Sequence, residues 1–133
     1  MKFILNIPSL LYILIFYNIL AFSGVDFTTV LFSTSLLSGA ELSVTWEELL
    51  ILIGIVALYI ETVKSTRTSS SAIFEHTLSM IVFVVYLVEF LMVTQVGTTS
   101  FLILGMMQLL DVIGGFTITI SAARRDIGGS FSH

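Results

Sequence analysis

The chain alternates long apolar runs with short polar segments, and each apolar run is about as long as a membrane-spanning helix. Such a helix needs about 20 predominantly apolar residues, because it rises about 1.5 Å per residue across a hydrocarbon core of about 30 Å. The pattern therefore predicts an all-α membrane protein that forms a single domain over residues 1–133. Its four predicted transmembrane helices form an antiparallel bundle and cover residues 3–22, 47–63, 71–96 and 100–123, followed by a polar tail at 124–133.

The segment between the first two predicted spans, residues 24–46, is rich in β-branched and aromatic residues. It predicts a short outer hairpin with a turn at 38–41, or an interfacial segment, and a re-entrant loop or a surface helix remains open as an alternative. Thr45 and Glu48 have the spacing of a capping box, which predicts that the second helix begins here. Trp46 suits the headgroup level of a bilayer, where its amphipathic ring is favoured.

The composition agrees with a bilayer environment. Hydrophobic residues make up 56% of the chain and charged residues 11%, and the mean hydropathy is +1.08. A soluble protein of this size has too little interior to bury so much apolar surface. The chain has no cysteine, which excludes disulfides and thiolate metal sites. It also lacks the basic patch of a nucleic-acid-binding protein, so nucleic acid is excluded as a partner.

The few charged residues predict the orientation. With four spans, every basic residue falls on one side of the membrane, and Asp26, Glu41, Glu47 and Glu48 fall on the other. The positive-inside rule then places both termini in the cytoplasm. Four of the basic residues have a weaker alternative role, which is to bind anionic lipid headgroups. These four are Lys64, Arg67, Arg124 and Arg125, and the fifth basic residue is Lys2.

Two acids fall at membrane depth in the last predicted hairpin, Glu89 in the third helix and Asp111 in the fourth. If these helices pair about residues 97–98, Glu89 lies beside Gln108 and Asp111 beside Tyr86, and both partners can donate to a carboxylate. A carboxyl at a helix centre costs about 2.5–3.5 kcal/mol to insert, so it needs a partner or a purpose. One hypothesis is a proton or cation site, and the commoner structural alternative is a polar contact between helices.

These polar residues recur at three–four spacing, so each set shares one helix face. On the third helix the face comprises Glu75, Ser79, Val82, Tyr86, Glu89 and Val93, and on the fourth Gly105, Gln108, Asp111 or Val112, and Gly115.

A second polar cluster, Glu61, Glu75 and His76, is expected near the cytoplasmic face. Glu75 and His76 are adjacent and point about 100° apart on a helix, so they cannot both face one metal without strain. A haem or pigment ligand role for His76 is disfavoured, because the only other histidine, His133, lies in the tail. No metal site and no cofactor are predicted.

Several stretches carry a resemblance to known proteins: ETVKSTRT at 61–68, LVEFL at 87–91, LDVIGGF at 110–116 and AARRD at 122–126. Together they look like small, uncharacterised four-span inner-membrane proteins of proteobacteria. The resemblance implies a multi-pass protein of the bacterial inner (cytoplasmic) membrane and implies no activity.

Small multidrug-resistance exporters have a coupling Glu in the first span, where this chain has none. Fluoride channels of similar size show dual topology. The placement of every basic residue on one side of the membrane argues against dual topology for this chain.

The sequence contains no catalytic constellation, so it predicts a protein that is not an enzyme. The first functional hypothesis is an accessory or structural subunit that packs against a larger bacterial membrane complex. Its partners are then membrane lipids and other membrane-protein subunits or copies of itself. The alternative is a homo-oligomeric proton-coupled transporter or channel that uses Glu89 and Asp111.

Overall fold

The computed structural model of the chain describes residues 7–66 and 71–131. This part of the chain contains helices and a two-stranded antiparallel sheet, so the all-α prediction is wrong. The elements follow in the order α1 (Ser9–Phe22), β1 (Val30–Ser35), β2 (Glu41–Thr45), α2 (Trp46–Lys64), α3 (Ser71–Met92) and α4 (Thr99–Phe131), with one 3-10 turn (Thr94–Val96) between α3 and α4.

Among the described helices, two are long and apolar enough to cross a membrane: residues Ile73–Met92 of α3 and Thr99–Arg125 of α4. The prediction of four transmembrane helices is therefore wrong. Helix α1 has 14 residues, which gives a length of about 21 Å against a hydrocarbon core of about 30 Å. Helix α2 has two acids in its first turn and a charged pair in its last, which leaves about 12 uncharged residues between them. The placement of both termini in the cytoplasm depended on four spans and falls with them.

Residues 24–46 adopt the hairpin, one of the conformations that the sequence left open. The two strands pair antiparallel, with a shift in register between Val30 and Phe32. In the turn, Gly39 has a φ of +88°, a left-handed conformation that favours glycine. Thr45 then caps α2, because its Oγ1 accepts from the Glu48 N–H at 3.4 Å and donates to Glu48 Oε1 at 3.0 Å. The predicted start of this helix is confirmed.

Helix α4 packs against α3 on one side and α2 on another, and α1 packs against α2. Helices α2 and α4 approach each other closely at Gly54, where a Cβ would come within 2.7 Å of Leu104 Cδ2. Large buried side chains fill the space between the helices: Leu10, Tyr17, Leu50, Tyr86, Phe101 and Leu104.

Many large apolar side chains on the described helices are exposed, while several polar and charged residues are buried within the apolar core. The outward side chains include Leu91, which is 68% exposed, and Ile73, which is 75% exposed. A soluble protein shows the opposite arrangement, so the long helices α3 and α4 are suited to a lipid environment. The buried polar residues are Glu61, Lys64, Ser65, His76, Ser79, Ser100, Gln108 and Asp111.

Two predicted boundaries differ from the observed ones. The predicted span 71–96 ends as a helix at Met92, and the helix predicted over 100–123 continues to Phe131. The polar residues after 123 end the apolar run without ending the helix, because Ser, Arg and Asp are all compatible with helical backbone. Lys2, Arg67, His133 and residues 3–6 of the first predicted span lie outside the described residues.

Candidate functional site: the polar interior of the bundle

Helices α3 and α4 pair in a register that differs from the expected one. A Cβ at Gly105 would lie 3.7 Å from Tyr86 Cβ, and a Cβ at Gly115 would lie 2.9 Å from His76 Cε1. Tyr86 therefore lies about six residues earlier along α4 than the predicted pairing with Asp111 requires. The reason is that α3 ends at Met92 and a 3-10 turn follows, so α3 does not continue to the assumed pivot.

Because of this register, the expected pairs Glu89–Gln108 and Asp111–Tyr86 are wrong. Each of these side chains meets a different residue in the described part of the chain. Tyr86 Oη donates to Leu10 O at 2.8 Å. Gln108 Nε2 donates to Ser79 O at 2.7 Å, Glu89 Oε2 accepts from Asn18 Nδ2 at 3.1 Å, and Asp111 faces the Ser79 side chain.

The shared faces predicted for these two helices do point inward. Ser79, Val82 and Tyr86 of α3 are buried, and so are Gln108, Asp111 and Val112 of α4. The acids Glu75 and Glu89 lie at the edges of the α3 face and are half-buried. The two acids proposed for transport thus sit at separate places in the bundle, Glu89 beside α1 and Asp111 beside Ser79.

Glu61 holds the beginning of α1. Its Oε1 accepts from Ser9 N at 2.7 Å, from Ser9 Oγ at 2.8 Å and from Lys64 Nζ at 3.0 Å. Lys64 Nζ also donates to Ile7 O at 3.1 Å. Helix α1 follows Pro8, which provides no side-chain cap, so the last turn of α2 supplies the acceptor that the first N–H groups of a helix need. Lys64 is buried in this contact.

His76 joins three helices at the same end of the bundle. Its Nε2 is 2.7 Å from Thr119 Oγ1, and its ring packs on Phe116 with 4.8 Å between centroids. Thr119 Oγ1 also donates to Ser65 O at 3.4 Å, at the end of α2. His76 and Glu61 therefore bind different partners. Among the described residues, no group of three or more His, Asp or Glu side chains is arranged to hold a metal ion.

A third polar contact, at the opposite end of the bundle, was missed by sequence reasoning. Tyr17 Oη hydrogen-bonds Ser100 Oγ at 2.7 Å and also Thr98 Oγ1. The Tyr17 ring stacks on Phe27 with 4.5 Å between centroids. The only signal for this contact in the sequence is the pair Tyr17-Asn18, which interrupts an apolar run. Their partners lie far along the chain and cannot be read from spacing.

Comparison with protein-family models, with curated proteins and with solved structures finds no match. The function is therefore inferred from geometry and chemistry alone. The remaining predicted site residues that the structure describes, Arg124 and Arg125, are exposed near the end of α4.

Replacing Tyr86 with phenylalanine is expected to destabilise the protein by about 1 kcal/mol, because it removes a buried hydrogen bond that ties α3 to α1. Unfolding in mixed micelles of mild detergent and SDS, followed by circular dichroism, measures the change in the free energy of unfolding. Tyr59→Phe is the matched control, since Tyr59 is 70% exposed. Equal stabilities of the two variants would contradict the assigned role of the Tyr86 hydroxyl.

Proposed function

We propose that this chain is a small non-enzymatic membrane protein that serves as an accessory subunit of a larger membrane complex and binds its partner through the hairpin β1–β2. Helices α3 and α4 cross the membrane as an antiparallel pair, and α1 and α2 pack on that pair. The bacterial inner membrane is the proposed location.

The observation that carries this proposal is the exposure of the hairpin. Strand β1 is exposed along its whole length, and Leu37 in the turn is fully exposed. An isolated two-stranded hairpin is marginally stable in water, and a free strand edge is a template for another strand. A partner that adds a strand to this edge gains main-chain hydrogen bonds and covers the apolar side chains. These exposed side chains are Val30, Leu31, Phe32, Leu36, Leu37 and Leu42.

The charges around the hairpin indicate the character of the partner. Asp26, Glu41 and Glu48 are exposed at this end of the bundle. Two hydrogen bonds from Thr28 lower the pKa of Asp26 below its ordinary value, so this carboxyl stays ionised. A partner surface with basic side chains complements these acids. Arg124 and Arg125 lie near the other end of α4, away from the hairpin, so they do not offset these acids.

The experiment is purification of the full-length protein from native membranes in mild detergent, with a photo-cross-linker at Leu37. The double variant Leu36→Ser/Leu37→Ser is expected to reduce the co-purified partner about tenfold or more, because burial of each leucine contributes about 1.5–3 kcal/mol. The cross-link should map to an extended strand of the partner.

Val56→Ser/Tyr59→Ser is the matched control, because these two apolar side chains are also exposed, at 59% and 70%, but lie on α2. It is expected to retain the partner, and both double variants should unfold at the same detergent composition as the wild type. A monodisperse monomer without any cross-linked protein at Leu37 would overturn the proposal.

A further inference from the structure

Two buried acceptor atoms on α4 lack donors. Gln108 is completely buried and Asp111 is 6% exposed. Within the described part of the chain, neither Gln108 Oε1 nor Asp111 Oδ2 has a hydrogen-bond partner. Ser79 connects the two residues, because its carbonyl accepts from Gln108 Nε2 at 2.7 Å and its side chain faces the Asp111 carboxyl.

The two unpartnered oxygens belong to one helix face. Residues three apart on a helix are neighbours, so a single bound species can contact both Gln108 and Asp111. A buried acceptor without a donor is destabilising, and an ionised carboxylate without a counter-charge is much more so. The arrangement therefore favours a positively charged species at this place.

In the part of the chain that the structure describes, the charged groups that act on Asp111 do not neutralise its carboxylate. The charged groups near it are Glu61 and Lys64 from α2 and Glu75 from α3. Lys64 is bound to Glu61 and to the Ile7 carbonyl, so this pair adds no net charge. Glu75 adds no positive charge, and the His76 ring is bound to Thr119. One unit of positive charge balances Asp111.

We propose that Asp111, Gln108 and Ser79 form a buried site for one monovalent positive charge, either a proton or a sodium-sized cation. The atoms that could bind a cation here are all oxygens, which are the ligands that hard cations prefer. A proton on Asp111 Oδ2 converts an acceptor into a donor and pairs it with a neighbouring oxygen. A small cation would instead contact both unpartnered oxygens. This proposal is independent of the hairpin and its partner.

The test uses the full-length protein in mild detergent and has two arms. In the first, infrared spectra are recorded across a pH series, and a protonated-carboxyl band is sought that is present in the wild type and absent from Asp111→Asn. In the second, the melting temperature is followed as NaCl replaces choline chloride at fixed pH. A sodium site is expected to raise the wild-type melting temperature by about 5 °C at saturating sodium and to leave Asp111→Asn unchanged.

The control is Asp26→Asn, since Asp26 is exposed and bound by Thr28. It should retain the carboxyl band and the sodium response. The first arm identifies a proton and the second a cation, and either result supports the site. If Asp111→Asn fails to fold, Asp111→Glu replaces it, because this variant keeps the carboxyl and should shift the Asp111 band without removing it. An Asp111 that stays ionised throughout the pH series, together with a melting temperature indifferent to sodium, would overturn the proposal and leave water as the partner of both oxygens.

Discussion

Replacing Glu61 with alanine is expected to destabilise the protein by about 3–5 kcal/mol, because it leaves the buried Lys64 without its counter-charge. Glu61 and Lys64 are 3.0 Å apart, and their side chains are 7% and 8% exposed. The variant also removes the acceptor of Ser9 N and Ser9 Oγ, so α1 loses its only side-chain cap in the described part of the chain. SDS-induced unfolding, followed by circular dichroism, measures the loss.

Further variants separate charge from capping at Glu61. Glu61→Gln keeps an acceptor for the Ser9 N–H but leaves Lys64 without a counter-charge, so an intermediate loss is expected. Adding Lys64→Met to Glu61→Gln should recover part of the stability, because no buried charge is then stranded. Glu47→Gln, at the other end of α2, should change stability by less than about 0.5 kcal/mol. If Glu61→Ala behaved like Glu47→Gln, the capping role would be wrong.

Replacing Gly115 with alanine is expected to cost about 1–3 kcal/mol, because the new methyl group meets a crowded contact. A Cβ there would lie 2.9 Å from His76 Cε1 and 3.2 Å from Ser65 Oγ. The His76 ring is rigid and is held by Thr119 and Phe116, so it must move and lose one of these contacts. Gly115→Leu should be more damaging. The same unfolding measurement reports both variants.

The neighbouring Gly114 supplies the matched control. Nothing lies within 4 Å of a Cβ at this position, so Gly114→Ala should be neutral or stabilising by up to about 1 kcal/mol through helix propensity. Gly114→Leu should also be tolerated. Similar losses for the variants at 114 and 115 would show that the close approach of α3, α2 and α4 at Gly115 is wrong.

The sequence predicts local features better than distant ones. The capping box at Thr45 and the inward faces of α3 and α4 follow from spacing within a single element, and these are confirmed. Partners across elements are different, because they depend on where each helix stops. A helix that ends at Met92, a few residues earlier than predicted, moves Asp111 from Tyr86 to Ser79. Counting apolar runs likewise gave too many spans, because the apolar composition of a stretch does not determine how long its helix is.

Glu61 is the residue whose role sequence reasoning could least anticipate. Its partner Ser9 is 52 positions away, and no pattern within α1 indicates that a cap must come from elsewhere. Pro8 is the only hint, because proline cannot offer a capping hydroxyl or carboxylate. The buried Lys64 shows the same difficulty, since a lysine at the end of an apolar run ordinarily marks a membrane surface.

The length of α4 has a mechanical consequence. Its 33 residues make a rod about 50 Å long, which exceeds the hydrocarbon thickness by about 20 Å. If α4 crosses the membrane as proposed, with Thr99 near one face of the lipid, its last turns extend beyond the headgroups of the other face. A molecule bound to those turns would be held at a fixed distance from the bilayer, and a tilt of α4 would displace it sideways.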